Sequence, residues 1–445
     1  MRLIAGLRLL VTLALLVLIT TPLAALDTTT RVVGPVHTWS AADLDRFDPA
    51  WLHVKFVEGS AVDVRDGRLV DAARGDLAAV NAILADARLV RPTFTGTRAH
   101  FRDLKARGEA ASGRTGPDLS LWFDVRLPDD RAGLATAINA LNARDEVEIA
   151  HPAPVCDLAV VRTGAPRAPA SDPDQRTPDF TGQQGYLYDP PVGLDAPAAW
   201  ELDGGRGDGM WFIDVELGWT WLHEDFDPFQ QFYQGGPGDD GYYDHGTAVL
   251  GEVIGWDNGF GVTGFAPDAR WGTVGITVDE WPEVPHYFQQ AIHALRPGDV
   301  WLIELQMYPP GRDATPMEWL QVNYDVIWTG SWAQGVVCIE AGANGSQDLD
   351  ATDWNGVFDR DVRDSGAIMV GAGTPTGRVA EWFTNHGSRM DVHAWGSQIV
   401  TTGYGDLYNE GTLETEYTAD FGGTSGASPM VTGSALCLQG IAKEF

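Results

Sequence analysis

From about Gly193 onward, apolar runs with strand character alternate with segments of helical spacing. "GMWFIDVEL", "RWGTVGITV", "DVWLIELQM", "VVCIEAGAN" and "AIMVGAG" read as strands, and "HGTAVLGEVIG", "VPHYFQQAIHAL" and "MEWLQVNYDVIWTGSWAQG" read as helices. A last helix is expected after Ser425. Strands that are apolar on both sides must be covered on both faces, and repeated strand, helix, strand units meet that need as a mostly parallel, doubly wound α/β sheet. Such sheets gather their chemistry at the carboxyl ends of strands and at the helix starts beyond them.

Upstream, the pattern changes. Residues 26–160 read as a small α+β unit: strand-like "WLHVKFVEGSAV", helical "DLAAVNAILADARL", strand-like "LSLWFDVRL", helical "RAGLATAINALNA" and a closing strand "EVEIAHPAPV". Residues 161–185 are rich in Pro, Asp and Arg with no period, and are expected to be an exposed linker. Residues 186–445 are then the α/β domain. Arg2, Arg8 and the apolar run Leu9 to Leu18, followed by Thr20, Thr21, Ala24 and Ala25, have the order of a secretory signal over residues 1–25. The run is short for a membrane span, so a secreted protein with no membrane association after signal removal is expected. The three cysteines, Cys156, Cys338 and Cys437, form no disulfide framework and have no metal spacing. A net charge of −32 argues against nucleic acid or anionic membranes as partners.

Four polar residues fall where the α/β pattern puts chemistry. Asp214 closes the run "MWFID", His245 opens a helix in "DHGTAVLG", Asn344 ends "VVCIEAGAN", and Ser425 lies in "DFGGTSGASPMVTG" before an apolar helix. A serine hydroxyl is a weak nucleophile at neutral pH and needs a base; imidazole suits that role, and a buried carboxylate fixes its tautomer. A developing oxyanion needs donors, which a side-chain amide and an N–H at a helix start can supply. Asp214, His245 and Ser425 compose the first set, and Asn344 with the Ser425 N–H the second. Taken one at a time, each would more often be structural; their order carries the argument.

With those residues in place the chain resembles the subtilisin-like serine peptidases, the subtilase family, over residues 185–445. "FIDVELGW", "HGTAVLGEVIG", "EAGANG" and "GTSGASP" match its four motifs in order. "WLHEDF" is similar to its loop after the catalytic Asp, and "FTNHGSRMDVHAWG" to its segment before the Ser. The resemblance implies a serine endopeptidase working through an acyl-enzyme on Ser425, with protein or peptide substrates and no cofactor required for catalysis. The ending "ALNARDEVEIAHPAPV" is similar to the close of subtilase propeptides, which implies that residues 26–160 are a prodomain and a partner of the site; an unrelated α+β domain is the alternative.

Four departures qualify the match. Val215 and Glu216 follow Asp214 where the family has Ser or Thr and then Gly, and the second carboxylate either perturbs the triad or points to solvent. Gly342-Ala343-Asn344 replaces the commoner Ala-Gly-Asn. "LIELQMYPPG" hides the specificity pocket, and only twenty residues follow Ser425, so a C-terminal truncation of the domain is expected. Structural calcium is compatible with Asp348, Asp350, Asp353, Asp359, Asp361 and Asp364, and with Asp225 and Asp227, but the spacing is not that of an EF-hand and a solvated acidic loop is the plainer expectation. The rival function is a secreted, catalytically impaired peptidase-like protein that binds peptides or a protein partner. A lipase or esterase is disfavoured because Ala427 breaks the "GxSxG" pattern.

Overall fold

The computed structural model describes residues 31–72, 77–162, 164–171, 176–238 and 241–445. The expected signal segment lies outside the described residues. Among those described, no helix is long and apolar enough to cross a membrane.

The N-terminal unit is built on four antiparallel strands, β1 (Phe47–Phe56), β4 (Leu89–Pro92), β5 (Trp122–Arg126) and β6 (Val147–Pro154), in the order β4-β5-β1-β6. A hairpin of β2 (Val62–Arg65) and β3 (Arg68–Asp71) and helix α1 (Ala78–Ile83) precede β4; α2 (Arg98–Ser112) and α3 (Arg131–Asn142) flank β5. Alternation along β1 sorts its two faces. Leu52, Val54 and Phe56 join Phe123, Val125, Leu134, Ile138 and Leu141 in an apolar core, where each fully buried large side chain contributes about 1.5–3 kcal/mol. His53 and Lys55 are on the other face, paired with Asp124 at 2.9 Å and with Glu58 and Glu148 at 2.6 and 2.9 Å. That face is closed by the C-terminal domain. Trp122 donates its indole N–H to Asp325 at 2.8 Å, Gln289 exchanges two hydrogen bonds with the Thr95 backbone, and Arg31 bridges Glu148 and Asp325.

The chain next forms β7 (Cys156–Leu158), whose partner lies in the second domain. That domain contains β8 (Trp211–Glu216), β9 (Gln231–Gly235), α4 (Tyr243–Ile254), β10 (Arg270–Gly275), α5 (Val284–Ala294), β11 (Val300–Ile303), β12 (Leu305–Met307), β13 (Thr315–Pro316) and α6 (Gln321–Trp328), then β14 (Val337–Ala341), β15 (Ile368–Gly373), β16 (Val392–Trp395), β17 (Ile399–Thr402), β18 (Tyr417–Phe421) and α7 (Thr424–Lys443). Seven strands form one parallel sheet in the order β16-β15-β14-β11-β8-β10-β9, the α/β architecture expected. Ile213, Val215, Trp301 and Ile303 face α5 and α6, packing with Phe288, Ile292, Val322 and Val326. Phe212, Val300, Leu302 and Ile339 face α4 and α7, packing with Ala248, Val249, Val253, Met430 and Leu436. All three cysteines are free and buried.

Candidate active site

Strand alternation decides which side chains of β8 can reach the helix starts. Residues 212, 214 and 216 share the face that Phe212 turns toward α4 and α7, so Asp214 and Glu216 both point under those helices. Only one of them touches the histidine. His245, in the first turn of α4, holds its Nδ1 2.5 Å from Glu216 Oε2. Asp214 accepts the Trp219 indole N–H at 2.8 Å. The expectation that Asp214 orients His245 is therefore corrected: Glu216 is the carboxylate on the imidazole. The physical reason is register. β8 runs two residues further than "MWFID", so its carboxyl end, where the helix starts converge, is Glu216. A signal was present: Glu216-Leu217-Gly218 keeps the acid two residues before a glycine, and Asp214 does not.

Both carboxyl groups and the imidazole at this point are buried. Burial pushes His245 down to about 3, which keeps the ring neutral. Its Nδ1–H then donates to Glu216, and Nε2, which has no hydrogen-bond partner, carries the free lone pair. Burial and the neighbouring Glu216 charge push Asp214 well above the usual carboxylate range, and burial raises Glu216 too, opposed by Asp214. Both carboxyls of this strand face are thus raised by burial, and only Glu216 meets the imidazole.

Ser425 is the second residue of α7, where backbone N–H groups have no intrahelical acceptor and the dipole favours negative charge. Its N–H donates to the carbonyl of Ala159 at 3.1 Å, while its buried hydroxyl has no partner. The His245 ring packs edge-on to Phe421, four residues earlier. Asn344 accepts the Thr424 N–H at 2.9 Å and the Thr424 hydroxyl at 3.0 Å on Oδ1, an arrangement that turns its Nδ2 donors away, buried and unpartnered. Ala343 before it takes a left-handed φ of 66°, a conformation strained for alanine and found at functional turns.

The carbonyl on Ser425 belongs to a segment threaded through the cleft. β7 adds antiparallel to β12, pairing Cys156 with Met307, Asp157 with Gln306 and Leu158 with Leu305. The Ala159 N–H donates to the Glu304 carbonyl at 3.3 Å, Gln306 Nε2 donates to the Leu158 carbonyl at 3.0 Å, and Val161 N–H donates to the Gly422 carbonyl at 3.2 Å. Gly423 makes this approach feasible. At its φ of 97° a Cβ would come within 2.3 Å of the Ala159 oxygen.

Two further buried acids were missed. Glu304 holds the Ser428 hydroxyl at 2.7 Å, and burial with the Asp214 charge pushes its carboxyl well above the usual range. Glu252, on α4, is fully buried with neither oxygen hydrogen-bonded, and burial raises it likewise. Neither position carries a motif; burial of an acid is a tertiary property. A carboxyl raised on folding contributes stability that is complete below its unfolded value, about 4.3 for Glu, and lost as pH rises through the folded value. Glu252→Gln in a Ser425→Ala chain is therefore expected to raise the thermal midpoint relative to its parent by an amount that grows from pH 5 to pH 8. A difference that stays constant with pH in thermal unfolding would contradict the buried assignment.

Among the described residues, no group of three or more His, Cys, Asp or Glu is placed to hold a metal ion. The acidic loop uses its carboxylates locally: Asp350 accepts the Ser388 N–H and hydroxyl, Asp359 the Asp361 N–H and Asp364 the Gly366 N–H, while Asp353 pairs with Arg312. Asp225 accepts Val262 N–H at 2.7 Å and Asn258 Nδ2 at 2.9 Å.

The family model described as the subtilase family matches residues 218–444, slightly more than half of the chain. The chain belongs to the subtilase family. Its fold is the α/β fold of subtilisin type, and its family activity is serine-type peptide hydrolysis. The match to this subtilase begins at Gly218, after both Asp214 and Glu216, so the choice between the two acids rests on the geometry alone. No curated protein matches the subtilase closely enough to count as a relative.

Proposed function

We propose that this subtilase is a secreted serine endopeptidase that cleaves its own chain between Ala159 and Val160 and thereafter cleaves other proteins or peptides. The observation that carries the reading is the Ala159 carbonyl on the Ser425 N–H, together with Asn344 Nδ2 and His245 Nε2, both buried without a partner. Ser425 Oγ attacks the Ala159 carbonyl carbon, and its proton passes to His245 Nε2. Negative charge gathers on the Ala159 oxygen, where the Ser425 N–H and Asn344 Nδ2 stabilise it. Glu216 supports the imidazolium through Nδ1. The C–N bond then breaks, His245 returns the proton to the Val160 nitrogen, and water hydrolyses the acyl-enzyme by the same route in reverse.

On this reading residues 26–159 are the prodomain, and its last four residues occupy the cleft as a product would. The impaired-protein alternative is weakened because a buried hydroxyl, a buried imidazole with a free nitrogen and a carboxylate partner, and a buried amide donor are all retained. Mass spectrometry of the purified chain tests the proposal. The expected result is a new N-terminus at Val160 and a separate fragment ending at Ala159, both missing from Ser425→Ala. An intact chain that also fails to react with a fluorophosphonate at Ser425 would overturn it.

A further inference from the structure

The cleft continues past the cut, and there the chain meets an acidic and aromatic surface. Arg162, the third residue on the leaving side, donates from its Nη2 to Asp406 Oδ1 at 2.7 Å and from Nε to the Asp420 carbonyl at 3.3 Å. Its guanidinium carbon stands 3.6 Å from the centroid of the Tyr404 ring. An ion pair, a backbone acceptor and a cation–π face converge on one planar cation, and both charged side chains are largely buried, at 16% and 6% exposure, where screening is weak.

Each wall of this pocket is held independently of the arginine. Asp406 accepts the Ala419 N–H at 3.1 Å on its other oxygen. Tyr404 donates its N–H to Asp244 at 3.0 Å from a left-handed φ of 63°, and its ring packs against Phe421, which in turn meets His245. The site is therefore continuous with the catalytic histidine through two aromatic rings. Six and nine positions further the linker meets the same surface, with Ala168 N–H on the Gly405 carbonyl and Ser171 N–H on the Asn409 carbonyl, both at 2.7 Å.

We propose that Tyr404, Asp406 and the Asp420 carbonyl form a specificity subsite for arginine at the third position on the leaving side of the cleaved bond, vacated when the new N-terminus at Val160 departs. The proposal rests on the endopeptidase reading above and adds to it a substrate class: polypeptides with a basic residue three places beyond the cut. The high negative charge of the chain attracts such substrates from a distance.

The test uses the self-processed enzyme and two quenched-fluorescence peptides identical to residues 155–166 except for Arg or Ala at the position of Arg162. The expected kcat/KM ratio favours arginine about tenfold, mostly through KM, since an ion pair and a cation–π contact made equally in the ground and transition states act on binding. In Asp406→Asn and, separately, in Tyr404→Leu the ratio is expected to fall to about two, whatever the absolute rate. Circular dichroism establishes that each variant is folded, and lysine in place of arginine is expected to give an intermediate ratio because it lacks the planar fork. Equal rates on the two peptides by an enzyme that labels at Ser425 would overturn this inference alone. Absence of both cleavage and labelling would overturn the endopeptidase reading and this inference with it.

Discussion

Glu216→Gln is expected to lower kcat for peptide cleavage by about 10⁴, the loss that follows when the carboxylate behind a catalytic imidazole is replaced by its amide. The reason is tautomeric. Glutamine can present its N–H to His245 Nδ1, which then accepts instead of donating, and the proton moves to Nε2, where Ser425 needs a base. Asp214→Asn is expected to lower kcat by no more than about tenfold, roughly the worth of one hydrogen bond, because an asparagine oxygen still accepts the Trp219 indole N–H that Asp214 accepts at 2.8 Å. Steady-state kinetics on one peptide, with KM separated from kcat, tells the two apart. The reverse ranking would restore Asp214 as the partner and show that the 2.5 Å contact of Glu216 with His245 is not used in catalysis.

Asn344→Ala is expected to lower kcat by about 10²–10³ with little change in KM, as for loss of one oxyanion donor. The geometry makes the side chain well suited to act only in the transition state. Both bonds from Thr424 fall on Oδ1, which fixes the amide plane, and Nδ2 is left without a ground-state partner. A donor held this way requires no reorganisation when charge develops on the substrate oxygen. Rapid fluorophosphonate labelling of Ser425 combined with slow peptide turnover is the expected signature in the variant. A drop confined to KM would mean that Asn344 serves binding instead.

The first prediction bears on the altered motif around Asp214, where two buried carboxylates lie on one strand face. In this chain the longer side chain takes the imidazole and the shorter one takes a tryptophan. Two acids of one strand face then share a dry environment, in which burial raises both carboxyls above the usual range.

Much of this was legible in the order of residues. Alternating apolar strands and amphipathic helices require a covered parallel sheet, and His245, Asn344 and Ser425 stand out as candidates because each lies at a helix start or strand end with the chemistry that position needs. Glu216 also stands two residues before Gly218, whereas Asp214 closes the apolar run "MWFID". Strand length settles that choice, and strand length depends on the neighbours: β8 continues to Glu216 because β10 pairs with it as far as Gly275. The pairing of β7 with β12, the seat of the Ala159 carbonyl and the arginine pocket of Tyr404 and Asp406 join residues more than 140 positions apart. Local periodicity, capping and motif spacing act over a turn or a strand, so the residue types and their elements were determined by sequence alone. Which acid meets the histidine, and which peptide bond lies over the serine, only the packed sheet could decide, because those contacts exist only once burial has brought distant segments together.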